Sequence, residues 1–166
     1  EAMWTDRPVM HILGHWNHKP GSKREVVVFS NCSEIELTLN GKSLGKSTST
    51  ANQYPAIPNP PLVWKDVPFE AGTLEVKGKI GRRKSADRRI TAGEPAKLTV
   101  GCSNNWLTAD GRDISFIAFT VCDAKGNRCY TTGEKLTVKV TGAAKLAGPA
   151  VIETRAGLAR VAVRSN

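Results

Sequence analysis

No run of apolar residues in this 166-residue sequence approaches the roughly 18 that a membrane-spanning helix requires, so no helical anchor is expected. The first residues lack the basic-then-apolar order of a signal peptide, and the start at Glu1 reads as internal to something longer. Cys32, Cys102, Cys122 and Cys129 form no CxxC pair, which leaves a zinc knuckle or a thioredoxin-type redox site without support. No stretch shows the 3.6-residue apolar period of an amphipathic helix. The spacing of Asp110, Asp113 and Asp123 matches no calcium loop such as the EF-hand. Neither a metal nor a cofactor is therefore expected. Acidic side chains are in deficit, 15 against 24 Lys and Arg, for a formal charge of +9. Much of that excess sits in one segment, where Lys79, Arg82, Arg83, Lys84, Arg88 and Arg89 face Asp87 alone. The segment has no interleaved aromatics to stack bases, so a solvated hairpin end with its turn at Gly81 is favoured over a nucleic-acid site.

What is present is apolar enough to fold, at 40% hydrophobic and 23% charged. The dominant period is two, bounded by Gly, Pro and Asn turns, which predicts an all-β chain. From Glu34 to Asn40 the alternation is strict, with Ile35, Leu37 and Leu39 on one face and Glu34, Glu36 and Thr38 on the other. Asn40-Gly41 then predicts a two-residue hairpin, because both residues tolerate positive φ. Val26-Val27-Val28-Phe29 is apolar at every position, as in a central strand covered on each face. Leu74, Val76 and Ile80 predict a further strand. Pro55, Pro58, Pro60, Pro61 and Pro68 make residues 54–68 a long surface loop, since proline cannot donate to a ladder. Thr91-Ala92-Gly93-Glu94-Pro95 marks a boundary, after which Leu98 and Val100, residues 114–121, Leu136 to Val140, and Val161 with Val163 predict four more strands. The expected organisation is a linker over 1–20, a first β-sandwich over 21–92 and a second over 93–166, both immunoglobulin-like.

Two runs of residues resemble a known family. The first is His15-Trp16-Asn17 followed by residues 26–45, from Val26-Val27-Val28-Phe29-Ser30-Asn31-Cys32-Ser33-Glu34 to Leu39-Asn40-Gly41-Lys42-Ser43-Leu44-Gly45. The second is Leu107-Thr108-Ala109-Asp110-Gly111-Arg112-Asp113, Asp123-Ala124-Lys125-Gly126-Asn127 and Ala156-Gly157-Leu158-Ala159-Arg160-Val161. In this order they resemble the region after the catalytic barrel in glycoside hydrolase family 2, in its bacterial β-galactosidase-like members, with an immunoglobulin-like module following. His18 and Thr38 stand where the family commonly has Trp and an aromatic. The resemblance implies that both catalytic glutamates lie on an upstream barrel, the chain's expected partner. It also implies a periplasmic or extracellular location and a parent that hydrolyses terminal β-linked sugars.

The residues themselves offer few catalytic candidates. Glu34 and Glu36 are near neighbours on one strand face, yet alternation puts them in water, without the apolar pocket a general acid needs. No catalytic residue is therefore expected. His11, His15 and His18 read as packing residues rather than metal ligands, with Trp16 anchoring the linker. Cys122 and Cys129 flank a turn that would permit a disulfide, but free thiols are favoured. Among the aromatics able to stack on a sugar, Trp4, Tyr54, Trp64 and Trp106, the better candidate is Trp106, beside Asn104 and Asn105, with Trp64 second. For both, burial is the favoured reading. The sequence thus predicts a supportive, non-catalytic fragment of a glycosidase. A carbohydrate-binding module is the alternative and a basic polyanion-binding module the second. No nucleic acid and no membrane are expected as partners.

Overall fold

A computed structural model describes Ala2 and residues 4–49 and 54–166; Glu1 lies outside the described residues. It contains no helix among them and divides into two compact units, Glu1–Thr91 and Ala92–Asn166.

The first unit holds two four-stranded antiparallel sheets. One runs in the order β1-β2-β6-β5, with β1 Met10–Ile12, β2 Lys23–Ser30, β5 Thr48–Ser49 and β6 Leu62–Pro68. The other runs β4-β3-β7-β8, with β3 Glu34–Leu39, β4 Lys42–Ser43, β7 Thr73–Ile80 and β8 Arg83–Ile90. Val26, Val28, Trp64 and Val67 of the first sheet share one core cluster with Leu37, Leu39, Leu74 and Val76 of the second.

The alternation in β3 resolves as its side chains require. Leu37 is 0% exposed and Leu39 is buried, while Glu34 and Glu36 lie opposite Lys79 and Lys77 on the wet face. Asn40 and Gly41 both have positive φ, 51° and 81°, giving the tight turn from β3 into β4. Leu37→Ala should therefore cost about 2–5 kcal/mol, whereas Thr38→Ala, on the other face, should cost well under that. Equal losses in urea titrations of the two variants would contradict this orientation.

Four expectations need correction. Residues 1–20 are not simply a linker: Met10–Ile12 pairs with β2, and Ile12 and Trp16 are core residues. Residues 62–68 of the expected proline loop form β6, an internal strand, because Pro55 to Pro61 all precede it and Pro68 occupies its last position. In β2, Val26 and Val28 are buried but Val27 is only half-buried and Phe29 is 39% exposed, so one face alone is fully covered. Outside it, Phe29 lines a shallow groove with Val9, Ile57 and Pro61. The basic segment is a solvated hairpin end only in part: the turn falls at Gly81, at φ 58°, and Arg82, Arg83, Lys84 and Arg88 are exposed, but the segment continues as β8, paired with β7 throughout, with Asp87 and Arg89 half-buried.

The second unit has one four-stranded antiparallel sheet, β12-β14-β10-β9, comprising β9 Lys97–Cys102, β10 Ile114–Cys122, β12 Ala144–Leu146 and β14 Leu158–Ser165. A two-stranded sheet pairs β11 Lys135–Thr137 with β13 Val151–Glu153. The strand expected from Leu136 to Val140 is thus shorter, its ladder ending one residue on with the Val138 N–H donating to the Ala150 carbonyl at 2.7 Å. The buried apolar residues of the second unit include Val121 and Cys122 on β10, Ala159, Val161 and Val163 on β14, and Cys129 in the segment after β10.

Candidate functional site

The loop joining β9 to β10 carries Trp106. Its geometry is set by short polar side chains that take up backbone groups the ladder leaves unpaired. The Asp110 carboxylate accepts the N–H groups of Arg112 and Asp113 at 2.8 and 2.9 Å, and these bonds, Arg112 first, hold its pKa below the usual range. Asp113 accepts the Thr108 N–H at 2.8 Å and the Ile114 N–H at 2.9 Å. At the base, Ser115 Oγ donates to the Asn104 carbonyl at 3.1 Å, and the Phe116 N–H donates to Ser103 Oγ at 3.0 Å. On this frame Trp106 is 70% exposed, an aromatic face presented to solvent. A flat apolar ring beside polar groups is what stacking on a pyranose requires.

Trp64 is no such platform. It is 4% exposed and its indole N–H donates to the Gly45 carbonyl at 3.0 Å, so it belongs to the core of the first unit. Of the other aromatics, Trp4 and Tyr54 are exposed. Glu34 is engaged in an ion pair with Lys79 at 2.9 Å on the wet face, and Glu36 is exposed beside it. Two of the three histidines pack: His15 and His18 lie 4.8 Å apart between ring centres, and His18 meets Trp16 and Phe69 edge-on, whereas His11 is exposed, its Nδ1 3.6 Å from the Asp87 carboxylate. Burial, then the charges of Arg24 and His15, lowers the His18 pKa, which keeps the imidazole neutral against those rings. All four cysteines are free thiols, Cys122 and Cys129 buried.

The Asp-Ala-Lys-Gly-Asn motif proves to be a hub. The Asp123 carboxylate accepts the Gly93 N–H at 2.9 Å, the Asn127 side-chain amide at 2.9 Å and the Asn127 N–H at 2.8 Å. These bonds, that from Gly93 foremost, lower its pKa to about 2. A depressed folded-state value means that the ionised form stabilises the second unit fully above the unfolded value near 4, and that this contribution fades as pH falls toward 2. Asp123→Asn should remove that part of the acid sensitivity. The melting temperature of the variant should fall less than that of the unmodified chain between about pH 6 and about pH 2.5.

Two features escaped the sequence reading. Asp87 and Arg89 lie opposite Val76 and Leu74, on the inner face of edge strand β8. There the Ile12 N–H donates to Asp87 at 2.8 Å, Arg89 donates to the carbonyls of Gly14, at 2.7 Å, and Ile12, and the two side chains pair at 2.8 Å. Burial would raise the Asp87 pKa, but the bonds from Ile12 and Arg89 outweigh it and the value is lowered. These inward charges tie β1 of one sheet to β8 of the other and blunt an edge. Second, the Asn31 side chain accepts the Val9 N–H at 2.7 Å and donates to the carbonyls of Thr5 and Arg7, both at 2.8 Å. The Ser-Asn-Cys motif therefore grips the segment from Thr5 to Val9, the Ser30 hydroxyl adding a bond to the Val9 carbonyl at 2.8 Å.

The fold thus defines a class: tandem antiparallel β-units, the second carrying the exposed Trp106 on a loop held by Asp110 and Asp113. Comparison with known proteins supplies the family. Residues 21–86 match a domain of unknown function, DUF4982, and residues 98–165 match glycoside hydrolase family 2 C-terminal domain 5. The chain is 32% identical to a β-glucuronidase of Formosa agariphila over 99% of its own length and 18% of that protein. It is 34% identical to the β-galactosidase BoGH2A of Bacteroides ovatus over 89% of its length and 17% of that protein. Among solved structures it superposes on a family 2 β-glucuronidase with a TM-score of 0.84 at 31% identity, covering 99% of this chain and 18% of the other. A family 2 member from Bacteroides cellulosilyticus gives 0.87 at 28% identity, covering 99% and 26%. The chain belongs to glycoside hydrolase family 2, as a C-terminal part of such a protein, and spans under a fifth of the length of these curated relatives.

Proposed function

We propose that this chain is the accessory C-terminal portion of a β-galactosidase-like glycosidase, supporting an upstream barrel that carries out hydrolysis of O-glycosyl bonds. The observation that carries this reading is coverage. Relatives named β-glucuronidase and β-galactosidase match 99% and 89% of this chain through only 18% and 17% of their own length. The chemistry agrees with it. Retaining hydrolysis needs two carboxyl groups about 5–5.5 Å apart flanking the scissile bond, one of them shielded so that its pKa rises. Glu34 and Glu36 stand on an open sheet face, the first already paired with Lys79. The purified chain should therefore release no chromophore from nitrophenyl β-galactoside or β-glucuronide. Turnover that vanishes in Glu34→Gln or Glu36→Gln would overturn the reading. The same reading places the parent in the periplasm or outside the cell, which fractionation of a producing bacterium checks.

The exposure of Trp106 favours a second reading, carbohydrate binding by the second unit. Binding on a glycan array that is lost in Trp106→Ala would establish it, and a folded chain that binds no glycan would exclude it. A polyanion-binding role has less to draw on, because Arg83 donates to the Asp6 carbonyl at 2.9 Å and Arg89 is committed to β1.

A further inference from the structure

Burial runs out across the larger sheet of the second unit. Residues directly opposite in antiparallel strands share a face, and Ala159, Phe119 and Val100 lie in one row, Val161, Ile117 and Cys102 in the next. On β14 this face is core, Val161 being 5% exposed. On β10 Ile117 and Phe119 are half-buried, and on β9 Val100 is 63% exposed, with Leu98 and Cys102 exposed beside it. Yet β9 alternates Leu98, Val100 and Cys102 inward with Lys97, Thr99 and Gly101 outward, the pattern of a strand whose inner face belongs to a core. Among the described residues the unit's other sheet is too small to cover it: it consists of β11 and β13, three residues each, and each has a single ladder partner, leaving open edges. Immunoglobulin-type sandwiches set at least three strands against a sheet of four.

We infer that the Leu98, Val100, Ile117 and Phe119 face is a docking surface for a two-stranded β-ribbon of the parent polypeptide. The ribbon extends the β11–β13 sheet by backbone hydrogen bonds and lays alternating apolar side chains over these four residues. Its source is argued from length: the relatives matched over nearly the whole of this chain are more than five times as long. A ribbon tethered in the same polypeptide also avoids most of the entropy lost in bimolecular association. The inference concerns how the second unit is completed, and its test does not depend on any hydrolytic activity.

Cys102 reports on this face directly. Iodoacetamide labelling mapped by mass spectrometry should modify Cys102 readily in the 166-residue chain and about tenfold or more slowly in the longer parent protein. Val100→Asp should leave the unfolding midpoint of the 166-residue chain nearly unchanged, while in the parent it should abolish the protection of Cys102. Equal labelling of Cys102 in the two proteins overturns the inference. So does a Val100→Asp loss in the 166-residue chain as large as that of Val161→Asp, since the face would then already be covered. A dimer of the 166-residue chain in sedimentation that protects Cys102 and is dissolved by Val100→Asp would assign the face to self-association and equally overturn it.

Discussion

Replacing Trp16 by alanine is expected to weaken the first unit by about 3–5 kcal/mol, the range for deleting a large buried aromatic. Trp16 is 2% exposed and lies 5.4 Å from the Phe69 ring, centre to centre. Its indole N–H donates to the Glu70 carbonyl at 3.0 Å, and its own carbonyl accepts the Thr91 hydroxyl at 2.8 Å. That hydroxyl in turn accepts the Gly72 N–H at 3.1 Å, so the residue locks the segment before β2 onto the β6–β7 connection. Alanine leaves a cavity and an unpaired carbonyl together. Trp16→Phe keeps much of the volume and loses only the donor, so its effect should be clearly smaller. In urea the alanine variant should lose at least about 1 M of midpoint with an unchanged slope, given slopes of about 1–3 kcal/mol/M. A loss under about 1 kcal/mol would mean that residues 1–20 act as a linker after all.

The parts of this fold that are legible in the sequence are those specified locally. Ile35, Leu37 and Leu39 report their own face through period two, and Asn40-Gly41 specifies its turn through backbone sterics alone. What stays hidden is whatever depends on distant partners. Met10–Ile12 shows no strand pattern because three residues are too few, and its place is set by β2 and by Asp87 and Arg89, about 75 positions away in the chain. Those two side chains read as solvated charge until the carbonyls and N–H groups of β1 are brought to them. β6 was masked by the prolines ahead of it, and β12 and β13 by their length of three residues. For the site, the exposure of Trp106 and the burial of Trp64 could not be separated by sequence, since both follow loop-like stretches. The difference lies in Gly45, whose carbonyl receives the Trp64 indole from 19 residues away.

Gly157→Ala is expected to destabilise the second unit by about 2–5 kcal/mol, combining a forced left-handed backbone with overpacking against a rigid neighbour. Gly157 has φ 68°, and a Cβ built on it would stand 2.2 Å from the Cys129 carbonyl oxygen and 3.0 Å from its carbon. Both are backbone atoms, so no side chain can swing away. The turn is also tied down on both sides: the Gly157 carbonyl accepts the Val121 N–H at 2.8 Å, and Arg155 and Leu158 exchange bonds at 2.8 and 3.0 Å. Its neighbour supplies a control of opposite sign. Ala156 carries a positive φ of 49° as a non-glycine residue, a conformation that costs about 1 kcal/mol or more, so Ala156→Gly should be neutral or stabilising. The readout is the accessibility of Cys122 and Cys129, both buried, with the Cys129 thiol further quieted because burial, then the charge of Asp123, raises its pKa. Labelling of these two thiols should begin at distinctly lower urea in Gly157→Ala, while the fluorescence of Trp16 and Trp64, buried in the first unit, keeps its midpoint. Equal shifts in the two variants would show that the tip of this hairpin is free to move, and that Cys129 does not hold it.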